Sequence, residues 1–129
     1  MRAIDTNVLM RLLVRDDARQ VAAAEVFVSK GAWISHLVLA ETAWVLESVY
    51  GRDAKAIADT VEMLLRHAQL AVQDADIVRA ALANFRRRPA AGFSDCLIVE
   101  IARRKGHLPL GTFDRDLGRL EGAERIQAE

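Results

Sequence analysis

The sequence predicts an α/β protein with a mainly parallel sheet covered by helices. Short apolar runs alternate with longer segments of helical spacing along the chain, and this alternation is typical of parallel strands joined by helical crossovers. The chain has 129 residues, of which 52% are hydrophobic. This is enough apolar material for one core, so we expect a single domain over residues 1–129.

The first half of the chain contains two predicted strands and four predicted helices. Residues 2–4 with Asp5 predict a very short strand, and the helical segments NVLMRLLVRDD and ARQVAAAEVFVSKG follow, the second ending at Gly31. AWISH predicts a second strand. LVLAETAWVLESVYG and DAKAIADTVEMLLRHA predict a helical hairpin, in which Gly51 ends the first helix and Asp53 caps the second.

The second half continues the alternation of strands and helices. QLAV predicts a strand before the helix DADIVRAALANFRRR, whose first turn holds Asp74 and Asp76, where negative charge suits a helix N-terminus. Pro89 ends that helix. SDCLIVEIARRKG predicts another helix, capped by Ser94 and ended by Gly106, and the strand LPLGTF and the turn DRDLGRL follow it.

Charge and cysteine content exclude several classes of protein. Lys and Arg number 18 and Asp and Glu number 18, so the formal net charge is zero and any nucleic-acid binding must depend on local patches. The single cysteine, Cys96, excludes an internal disulfide framework and fits a reducing cytosol. The N-terminus lacks an apolar leader, and the chain lacks a membrane-length apolar run. We therefore expect a soluble, cytoplasmic protein.

Four carboxylates interrupt apolar sequence and are the candidate site residues. Two of them directly follow short strand candidates, and a third stands in the first turn of its helix. The fourth lies in a helix expected over residues 37–50 and has only apolar neighbours three and four positions away. A buried, isolated carboxylate costs several kcal/mol, so each of these acids needs a partner or an open cleft. In chain order they are Asp5, Glu41, Asp95 and Asp114.

These acids predict a divalent-metal site if the fold brings them together. The cleft of an open parallel sheet lies beyond the carboxyl ends of its strands. Two carboxylates about 4 Å apart repel by roughly 4 kcal/mol at an effective dielectric constant near 20, so convergence requires a cation. An all-oxygen ligand set suits Mg²⁺ or Mn²⁺ rather than zinc. Taken singly, each acid is better explained as a helix cap, a surface charge or a member of an ion pair.

Four segments of the chain resemble, in order, the four motifs of PIN-domain ribonucleases, and within that family those of the VapC toxins of toxin–antitoxin pairs. The segments are IDTNVLMRLL, LAETAWVL, FSDCLIVEIA and TFDRDLGRL. The resemblance extends from Arg2 to about Leu120. It implies a PIN-like three-layer α/β/α fold with a central, mainly parallel sheet, and an endoribonuclease activity that depends on Mg²⁺ or Mn²⁺. It also implies RNA as substrate, a homodimer with a shared groove, and neutralisation by a small cognate antitoxin.

The resemblance also implies residue roles. The four acids would bind metal and carry catalysis, Asn7 and Thr112 match supporting polar positions, and Asp116 is a further acid of the last motif. Planar guanidinium groups suit phosphate, so basic side chains are candidate RNA contacts, although cations at a helix end can also simply be solvated. These candidates are Arg86, Arg87, Arg88 and Arg115.

Other interpretations remain open at this stage. A haloacid-dehalogenase-type phosphatase needs an acid two positions after Asp5, where this chain has Asn7. A phosphoacceptor receiver domain needs an acidic pair at the first strand and a late lysine. A catalytically silent module could bind RNA or a peptide through the same groove, but the complete acidic set favours cleavage. Trp33 and Trp44 lie in apolar runs and are expected in the core rather than stacked on bases.

Overall fold

The computed structural model describes residues 1–128, which form five short strands, six α-helices and two single-turn 3₁₀ helices. The strands are β1 (Arg2–Ala3), β2 (Ala32–Ile34), β3 (Leu70–Val72), β4 (Leu110–Thr112) and β5 (Ala123–Arg125). The α-helices are α1 (Thr6–Val14), α2 (Ala18–Val28), α3 (His36–Ser48), α4 (Ala54–Arg66), α5 (Ala75–Arg87) and α6 (Phe93–Arg104). The 3₁₀ helices are Pro89–Ala91 and Leu117–Arg119.

All strand pairs in residues 1–128 are parallel. β2 lies between β1 and β3, with Arg2 opposite Ala32 and Ala32 opposite Leu70, and β4 pairs with β5 in a separate two-stranded sheet. The carboxyl ends of β1, β2 and β3 therefore lie along one edge, where Asp5 follows β1 and Ser35 follows β2. The predicted three-layer α/β class with a mainly parallel sheet is confirmed.

Side-chain caps set the starts of four helices, α1 to α4. Oδ1 of Asp5 accepts a hydrogen bond from the third following backbone N–H at 3.0 Å, and Oγ of Ser35 and Oδ1 of Asp53 do the same at 3.2 and 2.8 Å. Each bond satisfies one of the N–H groups that a helix start leaves without an intrahelical partner. The prediction that Asp53 caps α4 is confirmed, and the caps of α1 and α3 fix where Asp5 and Glu41 stand.

The prediction that Ser94 caps α6 is wrong. The helix begins one residue earlier, at Phe93, after Gly92, whose φ of +85° suits a residue without a Cβ atom. Ser94 lies inside the first turn, and its Oγ donates to the carbonyl oxygen of Ala40 in α3 at 3.3 Å. Its hydroxyl therefore connects two helices instead of closing the end of one.

One buried hydrophobic cluster receives side chains from all six helices and from β2 and β3. Cys96 is fully buried within it, as expected, and burial raises the pKa of its thiol to about 11, so it stays protonated at neutral pH. Fully buried larger side chains are Leu9, Ile34, Leu39, Leu64, Val78, Leu97 and Val99. No helix within residues 1–128 has both the length and the apolar character needed to cross a bilayer.

The expectation that both tryptophans lie in the core is wrong. Trp33 is 38% exposed and Trp44 is 64% exposed. β2 buries Ala32 and Ile34 on one face, so Trp33 between them points to the other face. α3 buries Leu39, Thr42, Ala43 and Leu46, and Trp44 lies outside that stripe.

Candidate active site

Asp95 and Asp114 are close enough to influence each other electrostatically. Asp95 is half-buried in the first turn of α6, and burial first, then the charge of Asp114, raise the pKa of its carboxyl above the ordinary value. Both residues line a cavity of about 310 Å³. Within residues 1–128 neither forms an ion pair with Lys, Arg or His. A bound cation would relieve this repulsion.

Asp114 is positioned by a turn that follows β4. Its backbone N–H donates to Oγ1 of Thr112 at 3.0 Å, and its Oδ1 accepts from the backbone N–H of Asp116 at 3.3 Å. Side-chain bonds of this kind to backbone two residues away stabilise turns. Two of the predicted supporting residues, Thr112 and Asp116, thus contact Asp114 directly.

Asp5 stands at the carboxyl end of β1 and is exposed. One of its carboxylate oxygens caps α1, and because an ionised carboxylate has about four acceptor positions, most of them stay available. Asp5 and Asn7 line a second cavity, of about 360 Å³, between α1 and α2. A larger cavity of about 420 Å³, bordered by Leu9 and Leu64, contains none of the four predicted acids.

Glu41 is exposed on α3, next to the residue that binds α6. The carbonyl oxygen of Ala40 accepts the bond from Ser94, which directly precedes Asp95, so α3 and α6 meet where Glu41 and Asp95 occur in their sequences. The apolar neighbours that marked Glu41 in the sequence are not all buried. Its neighbours Leu37 and Trp44 are 70% and 64% exposed, so Glu41 lies on the solvent side of the helix.

The structure brings one pair of the predicted acids together. Within residues 1–128, no three His, Cys, Asp or Glu side chains lie close enough to hold one metal ion. Asp95 and Asp114 share a cavity, whereas Asp5 lines a different one and Glu41 lines neither. Mg²⁺ keeps several water ligands and is usually bound through one or two carboxylates plus substrate phosphate. The donor chemistry of the Asp95–Asp114 pair fits such an ion.

The predicted RNA-binding arginines differ in their surroundings. A guanidinium nitrogen of Arg86 lies 3.4 Å from Oδ1 of Asp59, and another lies 3.6 Å from Oε1 of Glu62, so this side chain joins α5 to α4. Arg87 donates to the side chain of Asn84. Arg88 and Arg115 are exposed and form no ion pair with any residue from 1 to 128.

Sequence reasoning missed three residues of this region. Trp44 and Glu47 line the same cavity as Asp95 and Asp114, and Ser94 borders it while binding α3. The helical spacing carried a usable signal, because Trp44 follows Glu41 by three positions and Glu47 follows Trp44 by three, so the members of each pair are neighbours on the surface of α3. The bond from Ser94 had no sequence signal, since its partner is 54 residues away.

Comparison with known proteins adds one match. A protein-family model described as the PIN domain matches residues 3–123, which is nearly the whole chain and includes all four predicted acids. No curated protein matches the chain.

Proposed function

The chain belongs to the PIN-domain family, and we propose that it is a metal-dependent endoribonuclease of the VapC toxin type, held inactive by a cognate antitoxin. The PIN fold is generally a nuclease fold and often a metal-dependent ribonuclease. The observation that carries the proposal is the Asp95–Asp114 pair, two mutually repelling carboxylates in one cavity without a basic partner in residues 1–128. Such a pair is costly unless a cation uses it.

We assign Asp95 and Asp114 to cation binding, with Asp5 and Glu41 completing the acidic set. When bound, Mg²⁺ or Mn²⁺ makes water nucleophilic at neutral pH and screens the phosphate charge. Carboxylates of the chain accept hydrogen bonds from the attacking water and orient it. The water oxygen bonds to phosphorus as the bond to the 3′-oxygen breaks, and a proton passes to that oxygen. The products are a 5′-phosphate and a 3′-hydroxyl.

Exposed arginines would supply the contacts to RNA phosphates. Arg115 directly follows Asp114, and Arg88 lies just before the 3₁₀ helix that leads to α6. Neither guanidinium has an ion-pair partner in the described part of the chain, so each can donate to phosphate without first losing a bond. Arg86 is the poorer candidate because its charge is shared with Asp59 and Glu62.

The decisive experiment compares purified wild type with Asp95→Asn on single-stranded and structured RNA, in Mg²⁺, in Mn²⁺ and in chelator. We expect wild type alone to cleave, only with metal, and to leave 5′-phosphate ends. Equal cleavage by both proteins would contradict the proposal. RNA binding by both proteins without cleavage by either would favour the alternative, a catalytically silent RNA-binding module of the same fold.

The toxin role and the homodimer need separate tests. We expect the chain to arrest growth when it is expressed alone, and growth to recover when its cognate antitoxin is expressed with it. Light scattering of the purified protein measures the oligomer directly. Growth arrest that persists in Asp95→Asn would separate toxicity from cleavage and contradict the toxin mechanism.

A further inference from the structure

The cavity beside the acidic pair has one aromatic wall that the proposed chemistry does not use. Its volume of about 310 Å³ is at the lower end of the roughly 300–1,000 Å³ of small-molecule sites, which leaves room for one small planar group. Trp44 and Glu47 of α3 line it together with Asp95 and Asp114. The remaining wall is largely apolar and includes Ala43, Ile57, Phe85, Ala90, Ala91 and Phe93.

The side chain of Trp44 is exposed, although neighbouring residues of α3 are buried. Its side chain is 64% exposed, although α3 buries the adjacent Ala43 and, two positions further on, Leu46. An indole ring left in water beside a cavity is a large apolar surface available to a ligand. The ring can stack on any of the four bases, because every nucleobase presents a π-face to an aromatic ring.

The charge of the cavity selects the part of a nucleotide that can enter it. Three carboxylates line it, those of Glu47, Asp95 and Asp114, and no Lys, Arg or His belongs to its lining among residues 1–128. With a cation held by Asp95 and Asp114, only the charge of Glu47 stays uncompensated, so that end of the cavity repels phosphate and accepts a neutral base. Glu47 can only accept hydrogen bonds when ionised, so it favours a base edge that carries an exocyclic amino group.

We propose that this cavity is a base-binding subsite, in which Trp44 stacks on the base of a nucleotide that adjoins the cleaved phosphodiester and Glu47 accepts a hydrogen bond from its exocyclic amino group. The proposal rests on the proposed ribonuclease function and adds a substrate preference to it. The subsite takes cytosine, adenine or guanine in preference to uracil. It also requires an unpaired base, so the substrate is single-stranded or looped RNA.

Tryptophan fluorescence tests the stacking directly, because Trp33 and Trp44 are the only two tryptophans in the chain. Trp33→Phe leaves Trp44 as the reporter, and Trp44→Phe leaves Trp33 as the matched control. Oligocytidylate is titrated into each variant with chelator present to prevent cleavage. We expect quenching in Trp33→Phe and little change in Trp44→Phe. Equal responses from the two variants would overturn the assignment.

Cleavage kinetics then test the function of the subsite. Loss of one base–aromatic stack lowers affinity by roughly 5- to 100-fold, so we expect Trp44→Ala to raise KM by a factor in this range and Trp44→Phe to raise it less. A substrate with an abasic residue at the subsite position should show the same loss with wild type and no further loss with Trp44→Ala. If the abasic residue and Trp44→Ala together raised KM by the product of their separate factors, stacking would be contradicted.

The amino-group preference has its own readout. One solvent-exposed hydrogen bond of ordinary net strength predicts a cytidine-over-uridine preference of roughly 3- to 10-fold in kcat/KM for wild type. Glu47→Gln should bring that ratio close to one, since an amide both donates and accepts. An unchanged ratio would overturn the role of Glu47.

Failure of this inference and failure of the proposed function give different results. If wild type cleaves RNA with metal and Trp44→Ala has unchanged kinetics, the subsite is wrong and the ribonuclease stands. If wild type neither binds nor cleaves RNA, both fail. If Trp44→Ala changes the sedimentation coefficient while leaving oligonucleotide affinity intact, a second copy of the chain covers Trp44 and the subsite proposal is overturned.

Discussion

The ionised form of Asp95 is electrostatically unfavourable, and no basic side chain among residues 1–128 pairs with it to offset this cost. Burial and the nearby charge of Asp114 both disfavour its ionised form, so the pKa of Asp95 is raised. An acid with a raised folded-state pKa binds its proton more tightly in the folded state than in the unfolded state. The protonated carboxyl therefore stabilises the fold. This stabilisation is complete at a pH below the unfolded-state pKa, near 3.8, and is lost as the pH rises through the folded-state pKa.

Asp95→Asn removes the ionised carboxyl, so we expect its Tm at neutral pH to exceed that of wild type by about 2 °C, a modest gain because solvent screens the half-buried group. The gain should disappear near pH 3, where Asp95 of wild type is protonated too, and metal should raise the Tm of wild type more than that of the variant. Calorimetry across this pH range checks both points, and a variant less stable than wild type at neutral pH would contradict the account.

Asp5 combines a helix cap with a proposed catalytic role, and one substitution separates them. Asn caps helices as well as Asp, so Asp5→Asn should leave Tm within about 1 °C of wild type. If Asp5 helps to bind the cation, as proposed, the variant should cleave RNA about 10- to 100-fold more slowly than wild type. Asp53→Asn is the matched control, because Asp53 caps α4 in the same way and is not one of the four predicted acids. Equal activity in the two variants would leave Asp5 with a capping role alone.

At the scale of elements, the contact between α3 and α6 positions two of the predicted acids. The bond from Ser94 to Ala40 joins the two helices beside Glu41 and Asp95. α3 itself has two different faces, a buried one that fills the core and an exposed one that carries Glu41, Trp44 and Glu47. The core therefore fixes the rotation of α3, and this rotation presents the exposed face to solvent.

Removing the bond between these helices should affect activity more than stability. A part-buried hydrogen bond contributes about 0.5–1.5 kcal/mol, so Ser94→Ala should lower Tm by only a few degrees. We expect it to lower kcat about tenfold, since Asp95 loses its fixed position relative to α3. Ser29→Ala is the control, because Ser29 donates a similar bond to Val26 at the end of α2. Similar kcat values in the two variants would show that the contact does not position the site.

At the scale of the whole molecule, a net charge of zero leaves RNA attraction to a few local cations. Six of the 18 basic side chains are also held in ion pairs within the chain, and these are Arg11, Arg15, Lys55, Arg86, Arg103 and Arg104. We therefore expect RNA affinity to depend only weakly on salt compared with that of strongly basic proteins.

Two arginine variants test which charges face the RNA. Arg115→Ala should weaken RNA binding and reduce the slope of log affinity against log salt by about 0.7, the value expected for one phosphate contact on a single strand. Arg86→Ala should leave the slope unchanged, because Arg86 is paired with Asp59 and Glu62. Filter binding at several salt concentrations measures both slopes. A loss of slope in Arg86→Ala but not in Arg115→Ala would reverse the assignment.

The α/β class, the parallel strands, most helix boundaries and the four candidate acids were predictable from sequence, because hydrophobic periodicity, capping residues and Gly or Pro stops are local signals. β5 was missed because its three residues are partly or fully exposed and form a strand only by pairing with β4. The tertiary structure decided which acids meet, which face of α3 is exposed, and that Ser94 binds α3. These depend on contacts between segments far apart in the chain, and such contacts have no signature in any one segment.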